Sequence, residues 1–256
     1  MILTDTHTHL YSDKFADDRI QMIERAVAKG VHRLFMPNID NSSIEGMMQL
    51  VEKYPNHCFP MMGLHPCSVD ANVENELNII KQQLADHSFC AVGEIGIDLY
   101  WDKTFLSQQE YAFRKQIEWA KELNLPIVIH CREAFDEILA ILDEVNDDNL
   151  KGIFHCFTGN IEQAKHIIGY EDFYLGIGGV VTFKKAGLDK VVEQLSVNHL
   201  VLETDSPYLA PSPYRGKRNE SAYLLNVAEK VAELLHLSIE EVAAITTENS
   251  IKIFGK

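Results

Sequence analysis

Two histidines, His7 and His9, close the opening run Met1-Ile2-Leu3-Thr4-Asp5 and stand two residues apart. In an extended chain they share a face, about 6.5–7 Å apart along the strand, so two imidazoles leaning from it reach one ion. Further on, Glu94 follows an apolar run and sits between Gly93 and Gly96. A carboxylate among apolar strands needs a cation or paired donors to offset its desolvation, and its two oxygens could bridge two metals. His130 closes Ile127-Val128-Ile129, His155 closes Ile153-Phe154, and Asp205 follows Leu200-Val201-Leu202. Taken singly each has a bland reading, as a core histidine or a turn aspartate. Together they form a nitrogen-and-oxygen ligand set. Such a set suits zinc, iron, nickel or copper, or manganese, better than magnesium, which prefers oxygen and water. Glu203 shares the face of Asp205 and is a weaker candidate. His65, in Gly63-Leu64-His65-Pro66, could orient a substrate phosphate; Asp98 and Arg132 read as supporting or loop residues.

The elements that must position these residues recur along the chain. Short β-branched apolar runs begin near Ile2, His32, Cys58, Phe89, Pro126, Gly152, Phe173 and His199, at intervals of 21 to 37 residues. Stretches of helical period lie between them: Ile20, Ile23, Ala26 and Val27; Phe113, Ile117, Ala120 and Leu123; Ile138, Leu142 and Val145. Strands alternating with helices read as βαβ units on a parallel sheet. Eight such units in 256 residues predict an α/β fold, a (β/α)8 TIM barrel of one domain spanning 1–256. An extra C-terminal helix is predicted from Ser238 to about Ile253, opened by the capping box Ser238-Ile239-Glu240-Glu241. An open doubly wound sheet would carry a glycine-rich turn after its first strand; this chain has Thr6-His7-Thr8-His9 there. The barrel makes a test of the candidates, because catalytic groups belong at the C-terminal strand ends. The singled-out residues fall there. The other histidines (32, 57, 87, 166, 199 and 236) fall at strand starts or helix ends.

Composition bounds the rest. The chain is 46% hydrophobic with a formal charge of −15, too apolar for a disordered polypeptide. No apolar run approaches the ~18 residues of a membrane span, and the first residues do not read as a secretory signal. Five scattered cysteines without Cys-x-x-Cys argue against a disulfide framework and for a cytoplasmic location. The acidic balance argues against broad non-specific nucleic-acid binding, yet a local patch stands out. Arg215, Lys217 and Arg218 lie within four residues in the loop after the last strand, with Gly216 between them. The bland reading is a solvated loop; the functional one is a phosphate clamp, which Lys184 and Lys185 could extend. Tyr214, Tyr208 and Trp101 fall in loops of the same face, and base stacking on such rings tolerates any sequence.

The ordered motifs resemble those of the TatD-type metal-dependent deoxyribonucleases, within the amidohydrolase-like barrels, over essentially the whole chain. They are Asp5-Thr6-His7-Thr8-His9-Leu10, Gly63-Leu64-His65-Pro66, Gly93-Glu94-Ile95-Gly96-Ile97-Asp98, Ile129-His130-Cys131-Arg132, Phe154-His155-Cys156-Phe157-Thr158-Gly159, Leu202-Glu203-Thr204-Asp205-Ser206-Pro207-Tyr208-Leu209 and Arg215-Gly216-Lys217-Arg218-Asn219-Glu220. Where that family usually reads Asn-Glu-Pro, this chain reads Asn219-Glu220-Ser221. The resemblance implies a divalent-metal hydrolase cleaving DNA phosphodiesters, with two ions (Zn, Mn or Mg). One would be held by His7, His9, Glu94 and Asp205, the other by Glu94, His130 and His155.

The expected chemistry is two-metal activation of a water for attack on phosphorus. Asp205 would take the proton, and His65, Arg215, Lys217 and Arg218 would meet the phosphate charge. The expected substrate is a single-stranded DNA end; no membrane and no obligate protein partner is expected. Two rival readings remain open at this level. The same ligands could serve a metal-dependent esterase or amidase, for example on an aminoacyl ester of transfer RNA, since ligands alone do not separate the two. A non-catalytic metal-binding scaffold is the other.

Overall fold

The eight apolar runs become eight parallel strands because each is too short for a stable helix, most carry β-branched residues, and each is followed by an amphipathic segment that covers it. A computed structural model describes residues 1–256. The strands are β1 (Leu3–Asp5), β2 (Val31–Pro37), β3 (Cys58–Met61), β4 (Val92–Asp98), β5 (Ile127–Arg132), β6 (Gly152–Phe154), β7 (Phe173–Ile177) and β8 (Leu200–Leu202). Between and after them run α1 (Arg19–Ala28), α2 (Asn41–Lys53), α3 (Val73–Asp86), α4 (Leu106–Leu123), α5 (Phe135–Val145), α6 (Ile161–Ile168), α7 (Leu188–Val192), α8 (Leu224–Leu235) and α9 (Ile239–Phe254). Every expected strand start lies within three residues of the observed one.

Strand order follows chain order, as β1-β2-β3 and β4-β5-β6-β7-β8. Single parallel bridges join these two sheets at both seams, Met62 to Val92 and Thr8 to Ser206. At the second seam Thr6 N donates to Leu202 O at 3.0 Å and Asp205 N to His7 O at 2.9 Å. The architecture is a (β/α)8 barrel.

Strand parity sorts the interior into storeys. Phe35, Met61, Val128, Ile153 and Val201 form one buried apolar cluster with Ile253 and Phe254 of α9. Two residues further along β5, β6 and β8, on the same faces, come His130, His155 and Glu203. The apolar storey is therefore a floor beneath polar groups at the C-terminal strand ends. The additional helix α9 seals that floor: its Phe254 ring stacks on Phe35 with centroids 4.2 Å apart. The expected capping box is present, with Ser238 accepting from Glu241 N and the Glu241 side chain reaching back to Ser238 N. The outer faces of the strands pack on the helices through a second, larger core that includes Phe113, Ile117, Ile138 and Leu142.

Candidate metal centre

Glu94 stands at an irregularity in β4. Gly93 pairs with Val128 and Ile95 with Ile129, so Glu94 is an extra residue without its own partner in β5. A bulge re-aims the side chain it carries, and here the carboxylate meets five imidazoles. Its Oε1 lies 2.8 Å from His130 Nδ1, 2.8 Å from His155 Nε2 and 3.4 Å from His65 Nε2. Its Oε2 lies 3.1 Å from His7 Nε2 and 3.8 Å from His9 Nε2. Asp205 joins them, with Oδ1 at 3.4 Å from His9 Nε2 and 3.9 Å from His7 Nε2. The close approach of β4 to β5 beside Glu94 depends on Gly96: its φ is +143°, and a Cβ there would fall 2.0 Å from His130 O. Glu203 is fully buried. Its carboxylate occupies the space a side chain at Gly176 would take, 2.3 Å from that Cβ position.

So many buried titratable groups are compatible only if protons or metal ions are shared among them. The charges follow from this. Burial favours protonation of Glu94, but the surrounding histidines, His155 foremost, hold it well below the usual carboxylate range. Asp205 is held down in the same way, by the bond from His9 and the charge of His155. Burial pulls His130 down, yet its bonds to Asp98 and Glu94 leave it above the ordinary histidine value. His155, facing Glu94 and Glu203, is raised well above that value, again against burial. Three groups bring ligand atoms within 4.8 Å of one another: His7, His9 and Glu94; His65, Glu94 and His130; His7, His155 and Glu203. His7 Nδ1 and Glu203 Oε2 are buried without a hydrogen-bond partner. Converging imidazoles, shared protons and unspent polar atoms are what a site for divalent ions would leave.

The surrounding hydrogen bonds assign the ring protons. Tyr11 donates its hydroxyl proton to Pro37 O at 2.5 Å, so His9 Nδ1 at 2.9 Å must donate to Tyr11. In the neutral ring, His9 Nε2 then carries the lone pair that faces Glu94 and Asp205. Asp98 Oδ2, 2.9 Å from His130 Nε2, leaves Nδ1 to face the cluster. Glu203 stands 3.4 Å from His155 Nδ1, an ion-pair contact that leaves Nδ1 without a hydrogen bond, while Nε2 faces Glu94 at 2.8 Å. These are carboxylate–histidine pairings of the kind that orient metal ligands. His65 is opposite. Cys67 N donates to its Nδ1 at 3.0 Å, and burial holds it below the ordinary value. Its ring is neutral with the proton on Nε2, which makes it a hydrogen-bond donor to the cavity. Tyr11→Phe is accordingly expected to weaken zinc binding by roughly 10–100-fold. Competition titration against a chromogenic chelator measures it; wild-type affinity in the variant would remove Tyr11 from the role.

His7, His9, His65, Glu94, His130, His155, Glu203 and Asp205 are thus brought together. Arg215, Lys217 and Arg218 are not among the residues lining the cavity that His9, Glu94, His130, His155 and Asp205 line. Arg218 pairs with both oxygens of Asp18, at 2.7 and 2.8 Å, and lies over Phe15. Arg215 covers the Phe183 ring at 3.6 Å, and Lys217 is exposed. Cys131 and Cys156 line the cavity wall, as does Cys67. Sequence reading missed Tyr11 and understated Asp98. Tyr11 had a signal: it continues the alternation His7, His9, Tyr11. Asp5 was also passed over. It is fully buried, and its carboxylate accepts from Thr204 N at 2.9 Å and Thr204 Oγ1 at 2.7 Å. It clamps the strand end bearing His7 to the one bearing Asp205, and burial pushes its pKa up to about 7. Ser221, at the departure from Asn-Glu-Pro, joins this seam: its Oγ is 3.2 Å from Thr8 Oγ1, itself 2.6 Å from Ser206 Oγ. Its turn, Ser221–Tyr223, still leads directly into α8.

A family model described as TatD related DNase matches residues 4–255. The chain is 42% identical over 254 residues to an uncharacterized metal-dependent hydrolase of Bacillus subtilis, YabD, with 99% of each chain covered. It is 30% identical to a protein of Pantoea ananatis named 3′-5′ ssDNA/RNA exonuclease TatD, covering 98% of each. The crystal structure of YjjV, a TatD homologue from Escherichia coli K12, superimposes with a TM-score of 0.93 at 26% identity, over 99% of this chain and 98% of that one.

Proposed function

Because the chain belongs to the TatD related DNase family of metal-dependent hydrolases, we propose that it is a nuclease that removes nucleotides from single-stranded DNA ends. The observation carrying this reading is the convergence of five imidazoles on Glu94 inside an open-mouthed cavity of about 630 Å³. That volume lies within the ~300–1,000 Å³ typical of small-ligand sites, suited to a strand end. The name of the Pantoea relative, a 3′-5′ ssDNA/RNA exonuclease at 30% identity, supports attack on a single-stranded end. The whole chain would act as one hydrolase domain. No helix is long and apolar enough to cross a membrane, and five unpaired cysteines suit the reducing cytoplasm.

In this reading His7, His9, Glu94 and Asp205 would hold one divalent ion, and Glu94, His130 and His155 would hold a second. Bound there, the ions would make a water nucleophilic near neutral pH and offset phosphate charge. The protein's own groups do the rest. Tyr11 and Asp98 fix the ring orientations of His9 and His130, and Glu203 places its charge beside His155. His65 Nε2–H donates to a phosphate oxygen as charge builds there. Asp205, ionised beside His9 and partly open to the cavity, accepts the proton of the attacking water. Arg215 and Lys217, exposed and outside the cavity lining, would meet phosphates further along the strand.

The test is to strip the protein with chelator, re-add zinc, manganese or magnesium separately, and follow end-labelled single-stranded DNA. Stepwise shortening from one end, restored by one of these ions, is expected. Ion uptake should strengthen as pH rises, since His130 and His155 retain protons above the ordinary histidine value and must release them. Metal binding without DNA cleavage under any ion would overturn the nuclease reading and turn attention to other esters and amides.

A further inference from the structure

Trp101 is the most exposed large apolar side chain of the protein, at 69%, whereas the other tryptophan, Trp119, is 7% exposed. Single exposed apolar residues are ordinary, but this one lines the same cavity as Glu94, Asp98 and His130. Its setting is also built. The Tyr100 ring, itself half exposed, meets it edge-on with centroids 4.9 Å apart. The Arg132 guanidinium lies 3.8 Å from the Tyr100 centroid and 5.3 Å from that of Trp101. The N–H groups of Tyr100 and Trp101 both donate to Asp98 Oδ1, at 2.9 and 3.2 Å. The other oxygen of Asp98 takes the bond of His130 Nε2. One carboxylate thereby fixes both the aromatic pair and an imidazole of the cluster. Half a turn around the barrel, in the loop after β8, Tyr208 is 43% exposed at the same cavity, with Lys14 Nζ 4.4 Å above its ring.

We propose that Trp101, braced by Tyr100 and Arg132, is the seat of a nucleobase whose adjoining phosphodiester lies at the histidine–carboxylate cluster. This rests on the nuclease reading and goes beyond it by naming where a base is held. The occupant must offer a flat π-face to the indole and carry negative charge for Arg132 and Lys14. An aliphatic chain meets the first demand only, and a free phosphate only the second. A nucleotide within a strand meets both. Stacking of this kind tolerates every base, because each has a π-face, so the site would grip a strand without reading it. A duplex keeps its bases stacked on each other and would not offer one.

The experiment uses the metal-loaded full chain and a short oligothymidylate. Tryptophan fluorescence should be quenched on binding, with buried Trp119 left as a constant background, and Trp101→Phe should lose the quench. Trp101→Ala should lower kcat/KM roughly 5–150-fold, the scale of one lost base–aromatic stack, with the loss carried in KM. Trp101→Phe should recover most of it, and zinc affinity should stay at the wild-type value in both variants. Wild-type KM in Trp101→Ala would overturn the proposal, as would a fall in zinc affinity accounting for the whole loss. If the wild type binds oligothymidylate with quenching but cleaves none under any ion, the nuclease reading fails while the seat stands. No binding at all would sink both.

Discussion

Glu94→Gln is expected to abolish hydrolysis, lowering turnover by at least ~10³-fold, and to strip the protein of bound metal. Removing one preorganised group that stabilises transition-state charge lowers kcat by about 10²–10³. Glu94 should exceed that because it serves every part of the cluster at once. Both of its oxygens are engaged, one toward His7 and His9 and the other toward His65, His130 and His155. Glutamine fills the same volume but leaves a neutral amide whose NH2 group repels the protons that the carboxylate shares. Metal content after dialysis and oligonucleotide hydrolysis under zinc, manganese and magnesium check the expectation. A variant that keeps its metal and cuts within about tenfold of the wild type would show that the carboxylate is not the hub of the site.

Asp205→Asn separates proton transfer from ion retention. Asp205 sits at the edge of the cluster, 14% exposed, with one oxygen 3.4 Å from His9. Its backbone is left-handed, φ 52°, a conformation Asp and Asn both tolerate, so the variant should fold. The contact with His9 and the charge of His155 keep the carboxylate below its ordinary value and ionised, and so it can accept a proton where asparagine cannot. The expected fall is roughly 10²–10⁴ in kcat, with most metal content retained through His7, His9 and Glu94. Metal content after dialysis and cleavage of end-labelled DNA check it; a variant that keeps its metal and cuts at the wild-type kcat would assign the proton to another group.

The strands and most of the cluster were legible because two simple patterns coincide. Apolar runs recur at βαβ spacing, and each of several runs stops at a histidine or carboxylate. A barrel gathers its strand ends at one mouth, so His7, Glu94, His130, His155 and Asp205 meet although the chain separates them widely. The floor made by Phe35, Met61, Val128, Ile153 and Val201 follows the same parity argument. What sequence did not disclose depends on contacts between elements. Nothing in Arg215-Gly216-Lys217-Arg218 says that Arg218 is held by Asp18, some 200 residues away. Nor does Tyr11 announce its bond to Pro37 O, which fixes the proton on His9. The buried clamp from Asp5 to Thr204 was hidden for the same reason: an aspartate next to a histidine motif reads as part of the motif until its partner is known.

That clamp has a consequence for how the protein is made. Asp5 and Thr204 are 199 residues apart, so the mouth cannot be assembled until the eighth strand has left the ribosome. At ~5–20 residues per second, roughly 10–40 s pass between synthesis of the two halves of the seam. Throughout that interval the nascent polypeptide carries His7 and His9 without Asp205. Any fragment released early, or cut before β8, carries His7 and His9 but lacks the carboxylate proposed to take the proton. On the proposed nuclease reading, a chain joined in this order would stay inert until nearly complete, close to the messenger that encodes it.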